Sequence, residues 1–202
     1  MKTVVLATNN AHKVSEISNA LAFPGWEFKT LREMGIESDP AEDAETFLGN
    51  ARIKAQAARA ASGGLATLAD DSGLEVDALD GAPGVWSSRF AGEDATDEDN
   101  NCKLLDDLKD VPDDKRTARF VCTLVFIDDD GTETNVRGTV EGRIGYKPQG
   151  AGGFGYDPLF WPDVFEGSCT LAEVPQARKN EVSHRGNALR ELRALLEQRV
   201  SD

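Results

Sequence analysis

Two adjacent carboxylates, Asp70 and Asp71, stand at the end of a short apolar run and are followed at once by Ser72-Gly73. The apolar run predicts a strand, and the Ser-Gly pair predicts a tight turn at which a ligand can approach the backbone. If both carboxylates ionise within ~4 Å of each other, a metal ion, a basic partner or a retained proton has to offset their repulsion. Our hypothesis is a Mg²⁺ ion held for chemistry on phosphate. The alternative is that both residues only end a strand and cap the turn.

A second set of candidate residues follows the N-terminal apolar segment, which predicts a strand. Thr8, Asn9 and Asn10 form a polar loop before a predicted helix, in which Asn10 is the N-cap and Lys13 lies in the first turn. A helix N-terminus presents unpaired amide groups and the positive end of the helix dipole, so it binds phosphate readily. Lysine is unfavourable in a first turn unless an anion is present. The alternative is an ordinary solvated lysine.

One face of a later helix, predicted over about residues 45–61, combines three types of side chain. Phe47, Asn50 and Lys54 recur at i, i+3 and i+7, so they lie on the same face. An aromatic ring, an amide and an ammonium group fit the wall of a binding site at least as well as a core.

The C-terminal half supplies an aromatic ring and a group of cations. Phe154 lies in the glycine-rich segment 150–161, so its ring has little local cover and is free to stack on a flat group. Lys179, His184 and Arg185 stand before and at the start of the last predicted helix. A capped helix end alone does not explain this basic group.

The whole chain limits the classes of protein to consider. Its 202 residues suit one domain with a substantial apolar core. With 36 acidic and 22 basic residues, the formal net charge of −14 opposes binding to polymeric nucleic acid but not to a small anion. Three widely spaced cysteines indicate neither a disulfide framework nor a zinc site and fit a reducing cytoplasm. We expect neither a secretory leader nor a membrane span, because the apolar runs are too short.

The elements that position these residues alternate between strand and helix in the first half of the chain. In the second half, strands over 119–127 and 132–140 flank an Asp-rich hairpin turn at 128–131. A strand ending at Asp71 and a separate short strand over 74–79 are predicted on either side of the Ser-Gly turn. Hairpins pair antiparallel and strand-helix-strand units pair in parallel, so the sequence predicts a mixed sheet in an α/β fold.

Six motifs in one order along the chain resemble the inosine triphosphate pyrophosphatase family, also called Ham1-like or RdgB-like proteins. The motifs are Thr8-x-Asn10-x-x-Lys13-x-x-Glu16, Asn50-Ala51-x-x-Lys54-Ala55, Ala69-Asp70-Asp71-Ser72-Gly73-Leu74, Gly81-Ala82-Pro83-Gly84, Phe154-Gly155-Tyr156-Asp157-Pro158 and Ser183-His184-Arg185-Gly186. The resemblance runs from residue 4 to about 195. It departs from the family at Gly49, where many members carry an acidic residue just before the helical Asn-Ala pair.

The resemblance implies a single domain over 1–202 with an elongated central mixed sheet, flanking helices and two lobes around a substrate cleft. It implies a homodimer whose ligand is a small nucleotide, without a role for polymeric nucleic acid or membrane. The implied reaction is hydrolysis of ITP, dITP and XTP to the monophosphate and pyrophosphate, which removes deaminated purines from the nucleotide pool. Mg²⁺, or alternatively Mn²⁺, is the implied cofactor.

The residues and the resemblance together assign roles in that reaction. Asp71 would orient or deprotonate the attacking water and help to hold the metal. Asp70 and Glu42 are further carboxylates at or beside the metal, with Glu45 as the reserve for Glu42, and the division of work between the aspartates stays open. Substrate contacts are expected from Thr8, Asn9, Asn10, Lys13, Asn50, Lys54, Ser72, Phe154, Gly155, Tyr156, Asp157, Lys179, His184 and Arg185.

Base selection is expected from the C-terminal residues of this set. Hypoxanthine and xanthine carry an oxygen at C6, where adenine carries an amino donor. Arg185, with His184 and Lys179, offers donors to that oxygen, whereas Phe154 would stack on the purine and Asp157 would accept from a ring N–H.

Two other functions remain open from the sequence alone. A Maf-type nucleotide pyrophosphatase would have a similar architecture and prefer other bases, although the order of the motifs disfavours it. A regulatory module would bind a triphosphate without cleaving it. The adjacent aspartates argue against this second alternative, because a pure binder gains nothing from carboxylates that repel phosphate.

Overall fold

The structure, a computed structural model, describes residues 1–8 and 10–201. The strands are β1 Lys2–Leu6, β2 Trp26–Thr30, β3 Ala66–Val76, β4 Thr117–Ile127, β5 Glu133–Ile144 and β6 Phe160–Pro162. The α-helices are α1 Ala11–Ala20, α2 Phe47–Ala61, α3 Asp97–Asp107, α4 Gln176–Val182 and α5 His184–Ser201. Within the described residues, no helix combines the length and the apolar character needed to cross a membrane.

The six strands form one sheet in the order β2-β1-β3-β4-β5-β6. Strand β1 pairs in parallel with both β2 and β3. The turn between β4 and β5 is closed by the Asp128 N–H, which donates to the Thr132 carbonyl at 2.9 Å, so the predicted hairpin is confirmed. Strand β5 pairs antiparallel with β6. The predicted mixed α/β sheet with flanking helices is therefore confirmed.

The predicted turn after Asp71 is wrong. Strand β3 continues without a break through the Ser72-Gly73 pair to Val76, and residues 77–79 form a 3₁₀ turn rather than the end of a second strand. The strand continues because the side chains of both aspartates have cationic partners, so their charges do not end the pairing. The carboxylates therefore lie inside a strand.

One compact unit contains the N-terminal strands and helices and the C-terminal helix; it comprises residues 1–71, 122–138 and the chain from 185 onward. Side chains alternate across β1, as the two-residue period of a strand requires. Val4 and Leu6 belong to a core shared with α1 and α5, whereas Val5 belongs to a core shared with the alanines of α2. The central strands of this unit are thus covered by helices on both faces.

A second compact unit comprises residues 72–121 and 139–184. Its core joins Leu104 and Leu108 of α3 to apolar residues of β3, β4 and β5. Arg116 is only 1 % exposed, and its guanidinium donates to the carbonyl oxygens of Leu108 at 2.6 Å and of Ile144 at 2.9 Å. Because these carbonyls lie at the C-terminal ends of α3 and β5, Arg116 fixes α3 against the strands of its own unit.

Candidate active site

Asp70 and Asp71 lie side by side in β3, and both are buried, with exposed fractions of 1 % and 8 %. Successive side chains of a strand point to opposite faces of the sheet, so the two carboxylates meet different helices. Asp70 contacts residues of α1 and α5, and Asp71 contacts residues of α2. The two carboxylates therefore have different nearest cations.

The Asp70 carboxylate belongs to a buried network of charges. Its Oδ2 lies 3.0 Å from the Lys13 ammonium and 3.4 Å from the Arg185 guanidinium, which also donates to Glu16 at 2.6 Å. Burial alone would raise the pKa of Asp70, but the charges of Lys13, Arg185 and Lys54 hold it below its ordinary value. Asp70 is therefore a permanently ionised partner of cations.

Asp71 has a different environment. Its Oδ1 lies 3.0 Å from the Lys54 ammonium, and its Oδ2 accepts a long hydrogen bond of 3.4 Å from the Asn50 amide. Burial raises the pKa of Asp71 and outweighs the opposing effect of Lys54. Adjacent carboxylates with pKa values shifted in opposite directions are typical of sites that divide acid-base work. Of the two, Asp71 is the carboxylate suited to accept a proton.

Lys54 joins Asp71 to the acidic loop before α2. Its ammonium lies 2.7 Å from Glu42 Oε2 as well as 3.0 Å from Asp71. Burial alone would lower the pKa of Lys54, but the charges of Asp71 and Asp70 raise it. The predicted common face of Asn50 and Lys54 is confirmed, because both side chains reach Asp71. The reserve candidate Glu45 is exposed.

Lys13 and Lys54 line one cavity of about 180 Å³, together with Thr8, Glu42 and Asp70. The predicted N-cap of α1 is confirmed, because the Lys13 N–H donates to Asn10 Oδ1 at 3.3 Å. The Asn10 N–H donates in turn to the Thr8 hydroxyl at 3.2 Å. Asn9 lies outside the described residues. Two cations and the first turn of α1, which favour phosphate binding, therefore lie at one space beside carboxylates.

Asn50 and Gly49 shape the acidic loop. The Asn50 Oδ1 accepts from the Ala44 N–H at 3.0 Å, and Asn50 is 1 % exposed. A Cβ on Gly49 would lie 2.5 Å from the Ala44 side chain, so glycine permits the close approach of loop and helix. The close packing of the loop on α2 therefore leaves no space for the acidic side chain that many family members carry at this position.

Replacing Asn50 by Ala is expected to lower the free energy of unfolding by about 1–3 kcal/mol, because the Ala44 N–H loses its acceptor. Urea unfolding at pH 7 measures the change. Gln56 on the exposed part of α2 provides the control, and its replacement by Ala should change stability by less than ~0.5 kcal/mol. Equal midpoints for the two variants would contradict the role of Asn50.

The aromatic candidate Phe154 lies in a loop of the second unit. The Lys179 ammonium is 4.6 Å from the centroid of its ring, so the ring has more cover than the glycine-rich sequence predicts. Lys179 also forms a buried ion pair with Asp157, and the Asp157 carboxylate accepts from the Phe154 N–H at 2.9 Å. Gly153 makes this fold possible, because a Cβ there would lie 2.2 Å from Asp157 Oδ2.

The remaining candidates are placed by their own units. The His184 ring is 5 % exposed and stacks on Phe120 with centroids 5.0 Å apart. Arg185 is 2 % exposed, and its guanidinium is bonded to Asp70 and Glu16. Ser72 is half-buried in β3. The roles of these residues in reading a base remain predictions, and Arg185 has a structural function in addition.

The oxygen donors of the first unit fit the hard cation that the sequence predicts. Glu42 Oε2 and Asp71 Oδ1 converge on one positive charge, the Lys54 ammonium. Within the described ranges 1–8 and 10–201, no three Asp, Glu, His or Cys side chains form a metal cluster. Mg²⁺ in phosphate chemistry needs only one or two carboxylates besides water and substrate oxygens. Asp70 is less suited, because Lys13 and Arg185 already neutralise it.

Comparison with known proteins assigns the chain to a family, because the sequence profile of the Ham1 family matches residues 4–195. The chain belongs to the Ham1 family. A dITP/XTP pyrophosphatase of Vibrio cholerae is 50% identical over 99% of this chain and 100% of its own length. That of Exiguobacterium sibiricum is 48% identical over 96% of both chains.

Solved Ham1 structures have the same fold. The Coxiella burnetii HAM1 protein superposes with a TM-score of 0.90 at 38% identity and covers 98% of this chain and 100% of its own. The Staphylococcus aureus Ham1 protein gives 0.89 at 37% identity with the same coverage. The predicted family and fold class are therefore confirmed for this Ham1 protein.

Some residues of this Ham1 protein contribute to the site although sequence reasoning gave them no role. Glu16 binds Arg185, and its place in the Thr8-to-Glu16 motif was the only indication. Ser38 and Asp39 line the cavity beside Lys13, in a loop whose acids are indistinguishable from solvated ones by sequence.

Proposed function

We propose that this protein hydrolyses deaminated purine nucleoside triphosphates, namely ITP, dITP and XTP, to the monophosphate and pyrophosphate. The observation that carries the proposal is that Lys13, Lys54 and three carboxylates line one cavity, with Asp71 bound to Lys54, in a chain of net charge −14. Such a chain repels free anions in general, so a local group of cations indicates one specific anionic ligand. Relatives named dITP/XTP pyrophosphatase support the choice of substrate.

The triphosphate is bound by residues of the first unit. Lys13, Lys54 and the amide groups at the start of α1 attract the phosphate oxygens, and Thr8 and Asn10 hold the loop in shape. Lys13 keeps Asp70 as its partner, and the remaining N–H donors of both ammonium groups contact the phosphate. They also stabilise the charge that moves onto pyrophosphate as it leaves.

Asp71 activates the attacking water. Lys54 and Asn50 orient its two oxygens, and in the metal-free protein burial raises its pKa. Water loses a proton to Asp71 as its oxygen attacks the α-phosphorus, and the bond to the β-phosphate oxygen breaks. The monophosphate and pyrophosphate are the two products.

Asp71 and Glu42 are the residues proposed to hold Mg²⁺, with Mn²⁺ as the alternative ion. When bound, the divalent ion would neutralise the negative charge of the phosphate oxygens. Asp70 keeps Lys13 and Arg185 in place rather than binding the ion, because its charge is already shared between them.

Residues of the second unit are proposed to select the base. Phe154 offers a ring face for stacking, and Lys179 and His184 offer donors to an oxygen at C6 of the purine. Asp157 holds the loop through the Phe154 N–H and offers acceptor oxygens to a ring N–H. Arg185, which belongs to the first unit, is also proposed to contribute donors, and it is anchored by two carboxylates at the start of α5.

Release of pyrophosphate from a panel of nucleotides tests the function. We expect kcat/KM for ITP, dITP and XTP to exceed that for ATP, dTTP and UTP by about 10²-fold or more, since adenine lacks the 6-oxo acceptor and the pyrimidines lack the purine ring. EDTA should abolish turnover, and Mg²⁺ should restore it. A preference for dTTP or UTP would favour the Maf-type alternative, and binding without pyrophosphate release would favour the regulatory module.

The homodimer that the family resemblance implies and the cytoplasmic location that the cysteine pattern favours both remain part of the proposal. Light scattering of the purified protein tests the dimer: a mass of about twice the 21.8 kDa of one chain is expected.

A further inference from the structure

The loop that carries Phe154 is fixed at its centre by a helix that no proposed catalytic step uses. Gly155 has a φ of 58°, in the left-handed region that favours glycine. Its N–H donates to Asp97 Oδ2 at 2.6 Å, and its carbonyl accepts from the Asn101 amide at 2.9 Å. Both acceptor and donor come from α3.

Asp97 and Asn101 are four residues apart in α3, so their side chains project from the same face of the helix. The Gly155 N–H belongs to the peptide that follows Phe154, and the Gly155 carbonyl belongs to the next peptide. Two bonds from one helix face therefore fix the orientation of both peptide planes. The bond to Asp97 is short and charge-assisted, which makes it stronger than a neutral hydrogen bond.

The helix that forms this clamp is itself held in place. Thr96 and Asp99 form a capping box at its start, and Arg116 binds the Leu108 carbonyl at its end. On the other side of the loop, the Tyr156 hydroxyl donates to the Ser87 carbonyl at 2.8 Å. Burial, with the nearby charge of Asp97, raises the pKa of Tyr156, so this donor keeps its proton.

The clamp is more than a fold-stabilising contact. Asp97 is exposed, where a hydrogen bond to a loop adds little to the free energy of unfolding. Asn101 is 8 % exposed, and no hydrogen bond from the described part of the chain reaches its Oδ1. Leaving a buried acceptor without a hydrogen bond costs about 1–3 kcal/mol. Asn101 is present despite this cost, which indicates that the hydrogen bond from its NH2 group to the Gly155 carbonyl is needed.

We propose that Asp97 and Asn101 are positioning residues that hold the Phe154 ring in the orientation required for stacking on the purine base. The proposal rests on the function proposed above and adds α3 to the determinants of base affinity. The clamp acts on a loop that contacts the base, whereas the reaction occurs at the α-phosphorus. It therefore contributes to binding equally before and in the transition state, which affects KM and leaves kcat unchanged.

Steady-state kinetics with dITP test this inference in the variants Asp97→Ala, Asn101→Ala and Asp97→Asn. We expect each Ala variant to raise KM about tenfold with kcat within about threefold of the parent. Asp97→Asn removes the charge but keeps an oxygen acceptor for the Gly155 N–H, so its KM should stay within about threefold of the parent. Glu98→Ala removes the same charge from the same helical turn without touching the loop and should leave KM unchanged.

Inhibition by inorganic triphosphate, which has no base, provides a second measurement. Its inhibition constant should stay within about twofold of the parent in both Ala variants, because the phosphate-binding residues are unaltered. A general distortion of the site would weaken binding of dITP and inorganic triphosphate equally.

The outcomes separate this inference from the proposed function. If the parent cleaves dITP but the Ala variants keep its KM, lose kcat instead, or lose affinity for inorganic triphosphate in parallel, the positioning role is overturned alone. If Asp97→Asn behaves like Asp97→Ala, charge rather than the hydrogen bond matters, and the inference is also overturned. If the parent releases no pyrophosphate from dITP, the proposed function is overturned, and the inference with it.

Discussion

Replacing Asp71 by Asn is expected to lower kcat/KM for dITP by about 10²–10⁴-fold, the range typical for loss of a general base. Asparagine has nearly the same shape but only one acceptor oxygen, so it can accept from Lys54 or from Asn50 but not from both. It cannot accept the proton of the attacking water, and it is a poorer ligand for a divalent ion. Pyrophosphate release at saturating Mg²⁺ measures the effect. Activity within about tenfold of the parent, or ~1.4 kcal/mol, would refute the assignment.

The stability of the same variant distinguishes loss of chemistry from loss of fold. Because the pKa of Asp71 is raised in the folded protein, its ionisation costs free energy of folding that is absent in acid and appears as the pH rises through that pKa. At pH 7 the metal-free Asp71→Asn protein should therefore melt at or above the temperature of the metal-free parent. A lower melting temperature would indicate that Asp71 has a structural function.

Much of the fold was predictable because it depends on local patterns. Helix α2 begins within two residues of the predicted start, and the capping box of Thr96 and Asp99 at the start of α3 is a local pattern of the same kind. The common face of Asn50 and Lys54 follows from helical spacing alone. The turn at Ser72-Gly73 was wrong, because the Ser-Gly pair is only a local turn signal, whereas β3 continues through it with cations from other elements beside Asp70 and Asp71.

Long-range pairing explains what the sequence did not predict. Asp70 and Arg185 are 115 positions apart, and no periodicity relates them. The opposite pKa shifts of Asp70 and Asp71 depend on which helix covers each face of β3, a property of the topology rather than of the motif. The contact of Asp97 with Gly155 also depends on long-range pairing, so the sequence did not predict it. Acidic residues in the first turn of a helix are usually explained by helix capping alone.

Replacing Asp70 by Asn is expected to lower the free energy of unfolding by about 3–5 kcal/mol, because it leaves the buried Arg185 and Lys13 without their shared carboxylate. For a chain of this size, such a loss corresponds to a melting temperature lower by about 6–20 °C. Asp71→Asn is the matched control, since it changes the same group at the next position of the same strand. Urea unfolding at pH 7, without metal, compares the two. Equal stability of both variants would contradict the different roles of the two aspartates.

The pH dependence of the difference in stability between the parent and the Asp70→Asn variant identifies Asp70 as the source of that difference. The pKa of Asp70 is lower in the folded protein than its ordinary value of 3.8, so the folded state binds fewer protons in that range. Ionised Asp70 contributes its full stabilisation above its ordinary pKa. This stabilisation is lost as the pH falls through the lower pKa that Asp70 has in the folded protein. The difference between parent and Asp70→Asn should therefore be constant from about pH 8 to 5 and decrease only below about pH 4. A difference that changed near pH 6 would assign the effect to another group.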